Sequence, residues 1–216
     1  MIDTIIFDNE GVIVDTERVW DKELEIFLGR RGIEYDKARI KHLLSGKSIK
    51  DGVNILKLEY SITGDERVLF NERHAIVKNL LKADISFIEG FRDFYKVVKN
   101  EYKTCIATSM DEELLNIINK RLFLSRLFGG NIYTLKQVGY KSKPCPDIFL
   151  YAAKELKSNP DNCLVIEDSP NGIEAALNAG MKCIGLATTY PDEKLKNADF
   201  IVKSFSEINL QKLRLI

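Results

Sequence analysis

The stretch Ile5-Ile6-Phe7-Asp8-Asn9-Glu10-Gly11-Val12-Ile13-Val14-Asp15 decides the fold. An apolar run ends on a carboxylate, a second carboxylate follows two positions later, and a glycine then frees the backbone. Strand side chains alternate between faces, so positions 8 and 10 share a side if the strand continues. A strand that stops at Phe7 instead leaves both acids on a loop at the sheet edge, where open α/β sheets bind ligands. Paired acids there suit a nucleophile with a proton donor, or two ligands of a hard cation.

Downstream of this stretch the periodicity is helical. Trp20, Leu24, Phe27 and Leu28 share one face of a helix predicted from Thr16 to Arg31, with Gly32 as its stop. Three more helices are expected over Asp36–Leu44, Ser48–Tyr60 and Asp65–Lys82. No strand pattern intrudes, so residues 15–86 read as a helical subdomain inserted after the first strand, with hinges near Gly11–Thr16 and Asp84–Gly90. Strands and helices then alternate, the signature of a parallel sheet with crossover helices. Strands are expected at Thr4–Phe7, Lys103–Ala107, Asn131–Thr134, Leu164–Ile166, Lys182–Leu186 and Asp199–Val202. The helices between and after them are Phe91–Asn100, Asp111–Arg121, Pro146–Leu156, Pro170–Ala179 and Ser206–Leu213. The fold class is therefore α/β, a Rossmann-like parallel core of residues 1–14 and 87–216 carrying the insert.

Composition narrows the functional classes. The 216 residues suffice for a real core, and 45% hydrophobic with 30% charged residues is a globular balance. Lys plus Arg equals Asp plus Glu at 32 each, so no bulk field recruits nucleic acid or an acidic membrane. Any anion must be caught by local geometry. No apolar run approaches the roughly 18 residues of a membrane span, and no signal-peptide pattern opens the chain. Cys105, Cys163 and Cys183 sit in or beside apolar strand-like runs, where cysteine is usually a buried hydrophobe, and no CxxC pair suggests zinc. A cytoplasmic, reduced protein is the expectation.

Four loops after or between these elements carry polar groups of different kinds. Asp8 and Glu10 follow the first strand, and Thr108-Ser109 follows Cys105-Ile106-Ala107. Lys143 lies in Lys141-Ser142-Lys143-Pro144-Cys145-Pro146-Asp147. Glu167-Asp168-Ser169 follows Leu164-Val165-Ile166, with Asn171-Gly172 opening the next helix. Strand ends of a parallel sheet lie along one edge, so these groups converge without being close in sequence. Taken singly, each is ordinary: aspartates after strands cap helices, and lysines are usually solvated. Together, carboxylates suit Mg²⁺, while a hydroxyl, an ammonium and free N–H groups suit a phosphate. Asp8 is then an in-line nucleophile forming an aspartyl-phosphate.

In this set the chain resembles the haloacid dehalogenase-like superfamily, within it the β-phosphoglucomutase-like group, which has a helical cap after the first strand. The Asp-x-Asp-Gly-Val opening of that family is similar to Asp8-Asn9-Glu10-Gly11-Val12, departing at Glu10. Its Thr/Ser motif falls on Thr108, its Ser-Lys-Pro-x-Pro-Asp motif on Ser142–Asp147, and its Glu-Asp-Ser-x-x-Gly motif on Glu167–Gly172. The resemblance implies Asp8 as nucleophile, Thr108 and Lys143 as holders of the phosphoryl group, and Glu10 as acid and base. It implies Mg²⁺ held by Asp8, the backbone carbonyl of Glu10, and Asp168, with Glu167 as a further carboxylate beside the metal. Ser109 and the cap turn Lys47, Ser48 and Lys50 are expected to contact substrate. The mutases of the group carry an arginine where this chain has Ile49 and a histidine near Trp20.

The implied activity is a Mg²⁺-dependent phosphatase of a small phosphorylated metabolite. A sugar-phosphate mutase is one alternative. Glutamate at position 10 is one methylene longer than aspartate, and displacement of a catalytic group by about 1 Å costs on the order of 10²-fold. A low-turnover phosphate-binding or regulatory protein is therefore the other. His42 and His74 read as structural or solvated, and Trp20 as a core residue of the first insert helix.

Overall fold

The computed structural model describes residues 1–83 and 85–209. Strand β1 (Thr4–Phe7) lies at the centre of an all-parallel sheet with β2 (Lys103–Thr108), β3 (Ile132–Thr134), β4 (Cys163–Glu167), β5 (Lys182–Leu186) and β6 (Phe200–Val202). The order is β3-β2-β1-β4-β5-β6 among the described residues. In β1, Thr4 through Phe7 are all buried, as an apolar run covered on both faces requires. Alternation sends Ile5 and Phe7 to one face and Ile6 to the other. Phe7 meets Phe91, Phe94, Tyr95 and Phe128 edge-on at 5.8–6.3 Å between ring centroids. Ile6 packs with Ala107, Ile148, Phe149 and Val165 on the opposite side.

Between β1 and α5 (Phe91–Val98) the chain makes four helices: α1 (Glu17–Gly29), α2 (Lys37–Leu44), α3 (Ile49–Tyr60) and α4 (Glu66–Ala83). They enclose their own apolar cluster, with Leu24, Phe27, Leu28, Ile40, Val53, Leu56, Leu69 and Ile76 at its centre. Side chains start three of them: Asp36 accepts from Arg39 N–H at 3.0 Å, Ser48 from Asp51 N–H at 3.1 Å and Asp65 from Val68 N–H at 3.1 Å. Where the insert leaves and rejoins, Asp15 N–H donates to Ser86 O and Ile88 N–H to Ile13 O.

The core continues through α6 (Glu112–Leu122), α7 (Leu124–Leu127), α8 (Asp147–Glu155) and α9 (Pro170–Asn178). The predicted elements reappear with ends displaced by two residues or fewer, the last helix excepted. There, Phe205–Glu207 forms a single 3-10 turn, and the rest of the expected Ser206–Leu213 helix from 210 onward lies outside the described residues, as does Asp84 of the second hinge. Helix α7 was not expected. Phe123 takes a left-handed conformation (φ 56°) that ends α6, and one short turn restarts at once with no Gly or Pro to announce it. Cys105, Cys163 and Cys183 are buried and unpaired, and Cys145 is exposed. No helix among the described residues is long and apolar enough to cross a membrane.

Candidate active site

Asp8 is the first residue beyond β1, and its N–H donates to Ile166 O at 3.0 Å. Thr108 ends β2 and Glu167 ends β4. Because Phe7 lies opposite both Ile106 and Ile166, the three strand ends come together at one edge, beside the central strand. Lys143 enters from the loop before α8 and is almost fully buried. Its Nζ donates to Asp8 Oδ1 at 2.5 Å and Glu167 Oε1 at 2.6 Å, with the Phe149 ring 4.8 Å away.

The other Glu167 oxygen accepts from Asp168 N–H and Ser169 N–H at 3.0 Å, and from the Ser169 hydroxyl at 2.9 Å. That hydroxyl also caps α9 by accepting from Gly172 N–H at 3.1 Å. A Cβ on Gly172 would fall 1.9 Å from the Glu167 carboxyl, so glycine is a packing requirement there. Gly11 meets a double demand: φ is +72°, and a Cβ would lie 1.9 Å from Asp168 Oδ2.

Asp8, Glu167 and Asp168 each place a carboxylate oxygen within 4.8 Å of the others. One ammonium does not balance them. Burial pushes Asp8 up to about 6, against the pull of Lys143 and with the help of the Glu167 charge. Burial, then the Glu167 and Asp8 charges, hold Asp168 well above the usual carboxylate range. Glu10, half-buried, is pushed up to about 8 by burial and the Asp8 charge, although Thr108 Oγ1 donates to its Oε2 at 2.9 Å. Burial disfavours the Lys143 ammonium, yet Asp8 and Glu167 outweigh it and hold its pKa above the ordinary value. Residual negative charge on an all-oxygen donor set is what a hard divalent cation neutralises, so the residues present fit Mg²⁺.

A cavity of about 120 Å³ lies between this edge and the four-helix insert. Asp8, Glu10, Ser109 and Asp168 line it from the core, and Lys47, Ser48 and Ile49 from the insert. Ser109 Oγ donates to Gly46 O at 2.9 Å and Asn171 Nδ2 to Ser45 O at 2.7 Å, tying the turn down onto the core. Thr108, Lys143 and Glu167 sit beneath the cavity, reaching it through Glu10 and Asp8.

Lys50 is exposed and points no group into the cavity wall, because it falls on the outer side of α3 while Ile49 and Gly52 turn inward. Trp20 is half-buried, packs against the cluster that holds Val19, Ile49, Val77 and Leu81, and also lines the cavity. Ser48, although in the wall, has its hydroxyl engaged with Asp51 as the α3 cap. His74 meets Asp111 Oδ1 at 3.1 Å, a contact between α4 and the core. Sequence reasoning missed Arg73, which lines the cavity and pairs with Glu23. The available signal was a cation on the apolar stripe Leu69, Ile76, Val77 of one helix and an acid on the stripe Val19, Leu24, Phe27 of another.

Comparisons with known proteins agree with this architecture. The haloacid dehalogenase-like hydrolase family profile matches residues 2–180. A bifunctional riboflavin kinase/FMN phosphatase of Arabidopsis thaliana is 47% identical over 96% of this chain, which spans 55% of that protein. A probable pseudouridine-5'-phosphatase of Drosophila melanogaster is 26% identical over 97% of this chain and 93% of its own length. The crystal structure of a β-phosphoglucomutase from Clostridium difficile superposes with a TM-score of 0.81 at 27% identity, covering 100% of this chain and 96% of that one. With the profile spanning most of the chain and the parallel sheet assembled as that family requires, the chain belongs to the haloacid dehalogenase-like hydrolases.

Proposed function

We propose that the chain is a Mg²⁺-dependent phosphatase of a small phosphorylated metabolite, with residues 1–14 and 87–216 as catalytic core and 15–86 as cap. One observation carries this reading: Asp8, gripped on Oδ1 by buried Lys143, lines a cavity that the insert covers, with Glu10 lining the same cavity. With Oδ1 held, attack on phosphorus falls to Oδ2. The ester P–O bond breaks as the new P–O bond forms, and the departing oxygen takes its proton from Glu10. A carboxyl raised to about 8 is largely protonated near neutrality, as a proton donor must be. Glu10, now ionised, then takes a proton from water, whose oxygen attacks the phosphorus and frees Asp8 and inorganic phosphate.

Asp8, Asp168 and the Glu10 backbone carbonyl would hold Mg²⁺, with Glu167 as the further carboxylate beside it. The bound ion supplies charge neutralisation for the phosphoryl oxygens. Lys143 keeps Asp8 ionised and oriented, and Ser109 stands at the cavity wall for the phosphoryl group. Ile49 in that wall offers no charge for a second phosphate, which favours hydrolysis over a mutase reaction. The deciding experiment is phosphate release from a metabolite panel with Mg²⁺, run beside Asp8→Asn. Release by the parent and none by the variant is expected; equal release by both would remove Asp8 from the mechanism.

A slow-turnover reading has its own observation. The Thr108 hydroxyl, expected at the phosphoryl group, instead donates to Glu10. If that contact persists with substrate bound, the second step lags and the phosphoenzyme accumulates. Rapid quench separates the two: an acid-stable burst with slow steady state, or none.

A further inference from the structure

The wall of the cavity includes an arginine that lacks part of its hydrogen bonding. Arg73 is 3% exposed, and Glu23, its partner, is fully buried. Arg73 Nε donates to Glu23 Oε1 at 2.8 Å and Nη2 to Oε2 at 2.7 Å, a two-pronged pair that fixes the plane of the guanidinium. Nη1, with its two N–H groups, is buried and has no partner among the described residues. It lies against Gly52, where a Cβ would come within 2.7 Å of it. Both Gly52 and Arg73 line the cavity, together with Trp20, Leu24 and Leu44. A buried charged donor left unsatisfied is costly and rare, so each instance calls for a partner that arrives from elsewhere.

We propose that Arg73 Nη1 is a specificity subsite that receives a neutral carbonyl-type oxygen on the non-reacting end of the substrate. The inference rests on the phosphatase reading and names its substrate class: a compact phosphomonoester with a largely apolar middle and a distal acceptor. Three observations select a neutral acceptor over a second phosphate. Glu23 already balances the guanidinium charge. Glu17 and Asp21 line the same cavity and are matched by Lys41 and Lys37, and with Asp8, Glu10 and Asp168 the acids of the wall outnumber its cations Lys41, Lys47 and Arg73, so it holds no surplus positive charge. Trp20, Leu24, Leu44 and Ile49 in the same wall offer apolar contact to the middle of a substrate. The cavity, about 120 Å³, is on the scale of one that holds a single benzene ring, which keeps the middle short. Gly52 makes the approach possible by leaving the Nη1 face free of a side chain.

The test uses the full chain with Mg²⁺ and a series of alkyl phosphates two to six carbons long, ending in carboxamide, carboxylate or methyl. At the best-fitting length, kcat/KM for the carboxamide is expected to exceed that for the methyl-terminated phosphate by about 10-fold or more, since a site built to hydrogen-bond rejects the analogue lacking that group. The carboxylate is expected to do no better than the carboxamide. Gly52→Ala, which crowds Nη1 but keeps the Glu23 pair, and Arg73→Lys, which keeps a cation on Glu23, should each bring the ratio near one. A parent ratio near one, or a ratio that survives both substitutions, overturns the proposal. If the parent hydrolyses no ester, the phosphatase reading falls by itself. Thermal stabilisation by the same esters then decides this inference: preference for the carboxamide, lost in the variants, supports it, and equal stabilisation sinks it.

Discussion

Lys143 does two jobs at the residue scale, and they are separable by mutation. It pairs with Asp8 and Glu167 within the fold and, in the proposed reaction, positions the Asp8 carboxylate for attack. Lys143→Met removes one partner of a buried ionic group, a change that typically costs about 3–5 kcal/mol of stability. It is expected to lower kcat by about 10²–10³-fold, the range for loss of one preorganised electrostatic group. Added Mg²⁺ should recover stability in the variant more than activity; full recovery of activity would mean that Lys143 serves charge balance alone. Glu10 makes a second, independent case. Shortening it to aspartate withdraws the carboxyl from Thr108 and frees that hydroxyl. Glu10→Asp is expected to raise steady-state turnover, by up to about 10²-fold, and to abolish any phosphoenzyme burst seen in the parent. A slower Glu10→Asp enzyme would show instead a site built around the longer acid.

Helix α6 ties the insert to the core at the scale of elements. Asp111 caps it by accepting from Glu113 and Leu114 N–H at 3.0 Å, and the same oxygen meets His74 of α4. Asp111→Ala should cost about 1 kcal/mol, lowering the melting temperature by about 2–4 °C without touching the cavity. A much larger loss in a differential scan would show that the His74 contact holds the two parts together. The start of this helix was legible in the sequence, as were most elements, because their apolar periods are long and their starts carry Asp, Ser or Pro. Strand β5 was placed to the residue, since Lys182 and Leu186 bound a run covered on both faces. Helix α7 was not legible: Phe123 adopts the left-handed turn without glycine, and a single turn has no period to detect. Trp20 packs against the core as its period implies, but its place in the cavity wall was not legible, because one-dimensional periodicity does not separate a core face from a cavity wall. Arg73 and Glu23 were passed over for a related reason. Each looks like a surface charge alone, and only the packing of α1 against α4 makes them one buried pair.

The whole molecule gathers its acids from distant segments, and this sets how its stability responds to pH. Parallel register brings residues 8, 10, 167 and 168 to one sheet edge, and the insert, tied through Ser109 and Asn171, closes over it. Folding without metal therefore buries more negative charge than Lys143 offsets. Asp8 rises from 3.8 to about 6 and Glu10 from 4.5 to about 8, and Asp168 is raised as well. Across that window the folded chain binds more protons than the unfolded one, so the slope of unfolding free energy against pH is negative. The Lys143 shift acts only above its ordinary value of 10.5, outside the window. In EDTA the melting temperature is expected to fall as pH rises from about 5 to 8, opposite to the usual acid lability of a protein rich in paired carboxylates. The proposed Mg²⁺ would bind the ionised carboxylates, so its stabilising effect should be small near pH 5 and grow towards pH 8, flattening the profile. Melting curves across that range with EDTA and with excess Mg²⁺ check both halves. A metal-free profile that rises with pH would mean that the acids are already balanced, and that the edge has no need of a cation.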